Sequence, residues 1–93
     1  MKFMLTFTMP VDKAKRNESI GRFLKTGGLP PKGAKLVGRW VSADFSGGFL
    51  LLEGEDLQAL TEFSLMWSDL CELKIVPVLE DQPLTEVLKR LPL

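Results

Sequence analysis

Arg39 and Trp40 stand side by side in Lys35-Leu36-Val37-Gly38-Arg39-Trp40-Val41-Ser42, an apolar stretch with a cation at its centre. A guanidinium in such a stretch must find an acceptor, reach water or meet an anionic ligand, because an unpaired buried charge is costly. The indoles of Trp40 and Trp67 offer flat apolar surface and one N–H donor each, and Thr6 adds a hydroxyl. Arg39, Trp40, Trp67 and Thr6 are therefore the candidate ligand-binding residues, suited to a small, partly apolar or anionic molecule.

The rest of the chemical inventory is sparse. The chain has no histidine, which removes imidazole as general base, proton shuttle or metal ligand, and its one cysteine cannot build a thiolate cluster. No metal or other cofactor and no catalytic residue is expected. Cys71 has no possible histidine partner and reads as structural. The stretch "TGGLPPKG" matches no phosphate-binding spacing and leads into a strand, whereas phosphate loops open helices. Glu53, Glu55 and Asp56 cluster before a helix, where capping and the helix dipole account for acidic residues without a cation.

Positioning these groups falls to a small fold. At 93 residues the chain is read as one domain, 1–93, with room for a single core. Twelve basic and twelve acidic residues cancel, so no charge asymmetry points to nucleic acid or an anionic membrane. The N-terminal "MKFMLTFTMP" lacks a small-residue cleavage site and reads as a strand, and no apolar run reaches the roughly 20 residues of a bilayer span. A soluble, cytoplasmic protein is expected, with its lone thiol in a reducing compartment.

Periodicity gives the elements. Phe3, Leu5 and Phe7 alternate with Met4, Thr6 and Thr8 as a first strand. From about Asp12 the spacing turns helical, with Ile20, Phe23 and Leu24 as its apolar stripe and Gly27-Gly28 as its C-cap. A second strand from about Ala34 to Ser42 turns through "ADFSGG" into a third, "FLLLE". Asp56 caps a second helix with Leu57, Leu60, Phe63, Trp67 and Leu70 on one stripe. A fourth strand covers 71–79, with Pro77 marking an edge, and a short helix runs from about Leu84 to Leu91. The order βαββαβ is the ferredoxin-like arrangement: an α+β fold with a four-stranded antiparallel sheet and two helices on one face.

Strict alternation along the second strand places Trp40 with Leu36 and Gly38 beneath the helices. The same count puts Arg39, with Val37 and Val41, on the second face beside Met4, Thr6 and Lys74. That second face mixes apolar and polar residues, which points to a homodimer formed through the sheet.

The stretches "RFLKTGGLPPKGAKLVGRW", "GGFLLLEGED" and "WSDLCELKIVPVLED" resemble a family of short, largely bacterial proteins grouped as a domain of unknown function, itself similar to the dimeric α/β-barrel group. The resemblance implies the fold and pairing between two sheets, and no activity. It also implies that relatives often carry a histidine directly after Gly-Arg-Trp, where this chain has Val41. Other branches of that group include cofactor-free monooxygenases, so a small cofactor-free enzyme is the alternative to a non-catalytic binder, and a structural or protein-interaction module is a third reading. The absence of histidine and of a paired acid and base favours the binder.

Overall fold

Leu5 and Leu52 are the most deeply enclosed large side chains, and they mark the middle of the sheet. A computed structural model describes residues 1–93 and gives strands β1 (Lys2–Thr8), β2 (Ala34–Val41), β3 (Gly47–Gly54) and β4 (Glu72–Val78), with helices α1 (Lys13–Thr26), α2 (Leu57–Trp67) and α3 (Asp81–Leu88). The strands form one antiparallel sheet in the order β2-β3-β1-β4, the ferredoxin-like topology expected from the pattern. Pro77 lies on β4, an edge strand, the place in a sheet to which proline is confined.

The core follows from the alternation of β1. Phe3 and Leu5 face Leu52 and Leu50 across the β1–β3 ladder, and Leu60 and Phe63 of α2 close over them. The cap signals hold: the carboxylate of Asp12 accepts from Lys15 N–H at 2.9 Å, and that of Asp56 from Gln58 N–H at 3.0 Å. Gly27 ends α1 in the left-handed region at φ 76°, its N–H donating to Phe23 C=O.

Three expectations need correction. Leu24 and Leu57 are exposed, because each apolar stripe narrows before the end assigned to it. The third helix begins at Asp81, earlier than Leu84, and none of its residues is buried. The third correction decides the site. Leu36 pairs with Leu52 but Gly38 pairs with Leu51, so β2 carries one extra residue at Val37, a β-bulge. One extra residue reverses the inside-outside count for everything after it. Arg39 therefore pairs with buried Leu50 and lies on the helix face, and Trp40 pairs with Phe49 on the face that helices leave open.

Trp40 lies over Gly38 on that open face. A Cβ at Gly38 would stand 2.5 Å from Trp40 Cη2, so the glycine leaves room for the large neighbour two residues on. Met4, Leu51, Phe49 and Val76 continue the same apolar surface, with Thr6 between Phe49 and Lys74 in the register.

Candidate functional site

The site begins with what α1 lacks. Its one buried residue is the small Ser19, whereas α2 buries Ala59, Leu60 and Phe63 against the sheet. With so little side-chain volume beneath it, α1 leaves a cavity of about 240 Å³ over the ends of the strands. Phe7, Ile20, Phe23, Phe45, Phe63 and Trp67 supply most of its apolar wall.

Arg39 is the cation of this cavity. Its Nη1 donates to Gly28 C=O at 2.8 Å and its Nη2 to Gly27 C=O at 3.0 Å. These carbonyls lie just past the last turn of α1, the negative end of the helix dipole, which favours a cation. The guanidinium carbon also sits 4.6 Å from the Phe23 ring centroid, a cation–π contact. Burial pulls the guanidinium below its ordinary pKa, and no carboxylate pairs with it. A guanidinium has five N–H donors, and only two are used within the chain.

Gly28 makes this contact possible. It holds φ 59°, and a Cβ there would come within 2.8 Å of Arg39 Nη1 and 2.9 Å of Phe23 Cδ2. Phe45, in the turn between β2 and β3, is the one non-glycine residue with positive φ, at 61°. A bulky residue in this region is strained by about 1–2 kcal/mol, and here the strain sets an aromatic ring on the cavity wall.

Cys71 and Ser19 add the remaining polar atoms. Ser19 Oγ lies 3.9 Å from Cys71 Sγ and donates to Lys15 C=O at 3.1 Å. Burial pushes the Cys71 thiol up, keeping it protonated near neutral pH, which is opposite to what a thiolate nucleophile requires. Neither Ser19 nor Arg39 is a general base, so the cavity can orient a bound molecule but offers it no ready proton acceptor.

The wall beside Trp67 is braced from outside. Arg22 on α1 makes a bidentate pair with Asp69, at 2.9 and 2.8 Å, and donates to Met66 C=O at 2.7 Å. Its guanidinium carbon lies 5.4 Å from the Trp67 ring centroid. These bonds tie α1 to the end of α2, fixing the width of the space between them.

The four candidate residues thus divide between two faces. Arg39 and Trp67 line the cavity, and Trp40 and Thr6 stand on the open face of the sheet. Phe23, Phe45 and Gly28 were not foreseen as site residues. A signal for Gly28 was present: one glycine suffices for a C-cap, and a second directly after it needs another reason. The acidic cluster disperses, with Asp56 capping α2 and Glu55 accepting from the Met1 amino group at 2.6 Å.

The family described as Domain of unknown function (DUF3303) matches residues 1–92. The chain belongs to that family. No curated protein matches it. For this DUF3303 chain the resemblance noted in the sequence therefore holds, and so does the ferredoxin-like sheet that it implied. Val41, directly after Arg39-Trp40, faces the cavity as an apolar wall residue and brings no titratable group to it. No helix is long and apolar enough to cross a membrane.

Proposed function

We propose that this is a homodimeric binding domain that holds a small apolar molecule bearing a carboxylate or a similar acceptor, in the cavity between α1 and the sheet. The observation that carries the reading is Arg39: a partly buried cation on an apolar wall, held by two backbone carbonyls with no carboxylate partner and with donors to spare. A ligand anion would supply the missing charge, and Phe23 and Trp67 would flank its apolar part. The cavity lies below the roughly 300–1,000 Å³ of typical drug-sized sites, which suits a small ligand.

Pairing is supported by the open sheet face. Trp40 is 57% exposed and Phe49 52%, and with Met4, Leu51 and Val76 they form an apolar surface of the kind that marks an interface. A buried lone thiol fits a reducing, cytoplasmic setting.

The test is calorimetry with 2-naphthoate, using its neutral amide as control. Saturable binding of the acid, at least about tenfold tighter than the amide and lost in Arg39→Met, is expected, tenfold corresponding to about 1.4 kcal/mol. Equal binding of acid and amide, or binding unchanged in Arg39→Met, would remove the role given to the cation.

A further inference from the structure

Leu79 to Leu93 are exposed throughout, including the helix α3 within them. On α3 and the residue turn after it, Leu84, Val87, Leu88 and Leu91 recur at helical spacing, each between 40% and 50% exposed. Eight residues of helix with no buried residue gain little from tertiary packing, and isolated helices shorter than about 12–15 residues are marginal in water. Nor is there a side-chain cap at Glu80. The tie to the body is the ion pair between Lys2 Nζ and Glu80 Oε1 at 2.6 Å. The molecule consequently spans 54 Å, with a radius of gyration of 15.6 Å, against about 12 Å for a compact chain of this length.

We infer that α3 is an arm that packs on a second copy of this chain, beside the sheet-to-sheet contact. This rests on the pairing proposed above and adds the element that makes it large enough. The open face of the sheet offers roughly fifteen side chains, short of the about 20–30 residues a side of a standard stable interface. Residues 79–93 make up that shortfall. Two-fold symmetry makes the exchange reciprocal, so each copy's uncovered stripe and uncovered sheet find cover in one assembly. Only Leu79 and Glu80 separate β4 from α3, and the whole chain is elongated to 54 Å.

Two measurements test this. In the first, p-benzoylphenylalanine replaces Leu84 in an equal mixture of light and nitrogen-15-labelled chains, which is irradiated and mapped by mass spectrometry. Light-to-heavy cross-links from α3 are expected; cross-links confined to single chains would overturn the arm. In the second, sedimentation equilibrium compares L84D/L88D with W40D/F49D. The α3 variant should weaken the dimer on the order of 100-fold while leaving the thermal unfolding of the body unchanged when both proteins are diluted to the monomer. An unchanged dissociation constant in that variant would overturn the arm while sheet pairing stands. Weakening by L84D/L88D but not by W40D/F49D would keep the arm and remove the sheet contact. A full-length chain that stays monomeric at high micromolar concentration would overturn both.

Discussion

Arg39 and Trp40 are adjacent in β2 and project from opposite faces of the sheet, Arg39 onto the ring of Phe23 and Trp40 over Gly38 on the open side. The bulge at Val37 sets this arrangement, and the cavity's charge depends on it. Without the extra residue the indole would occupy the space under α1 and the cation would face the apolar side of the sheet.

Replacing Arg39 by methionine should destabilise the fold by roughly 1–2 kcal/mol. It removes two hydrogen bonds from a charged donor but strands no carboxylate, so the cost falls short of that for breaking a buried ion pair. Urea unfolding monitored by circular dichroism reads the difference. A cost below about 0.5 kcal/mol is the range of an exposed surface site and would mean that the head group is solvated.

Gly28→Ala and Gly38→Ala make a contrasting pair. At Gly28 the methyl group meets Arg39 and Phe23 in a left-handed conformation, and a loss of roughly 2 kcal/mol is expected. At Gly38 it meets only the far edge of the Trp40 indole, which in the single chain is exposed and can swing aside, so for the monomer the change should stay within about 1 kcal/mol in either direction. Thermal unfolding of both proteins side by side, at concentrations that keep the chain monomeric, checks the order, which would be reversed if Trp40 were packed within its own chain.

Asp69 gives stability a pH dependence with a definite sign. The hydrogen bond from Arg22, followed by their charge attraction, holds its carboxyl below the ordinary carboxylate value. A carboxyl depressed in the folded state contributes stability that is present above its unfolded value and is lost as pH falls through the folded one. Stability should therefore drop as pH falls below about 5 and on through the lowered folded value, and Asp69→Asn should flatten that limb. Denaturant midpoints at a series of pH values decide it; an identical acid limb in the variant would show that Arg22 does not hold Asp69 in solution.

Phe45→Gly should separate stability from binding. The glycine relieves the left-handed strain, about 1 kcal/mol, while removing an aromatic wall, so the two effects oppose each other in stability. Binding of 2-naphthoate has no such compensation and should weaken severalfold. Unchanged affinity would take Phe45 out of the site.

Much of the fold was legible because its signals are local. Asp12, Gly27 and Asp56 mark helix ends through their own hydrogen bonds and backbone angles, and the alternation of Phe3, Leu5 and Phe7 needs no distant information. The site was less so. A bulge depends on how Leu36 and Gly38 register against β3, and nothing in the run from Lys35 to Val41 reveals that count. The cavity gathers side chains from widely separated segments, although the poverty of apolar residues on α1 was a signal that the space beneath it stays unfilled.

The side-chain N–H signals of Arg39, Trp40 and Trp67, followed in ¹H–¹⁵N spectra while 2-naphthoate is added, test the placement and the function of the cation together. Arg39 Nε–H and the Trp67 indole N–H should shift along one saturating curve while the Trp40 indole N–H stays in place. A shift of Trp40 with Arg39 and Trp67 unmoved would contradict the reading, placing the ligand on the open face and leaving the cavity without its proposed role.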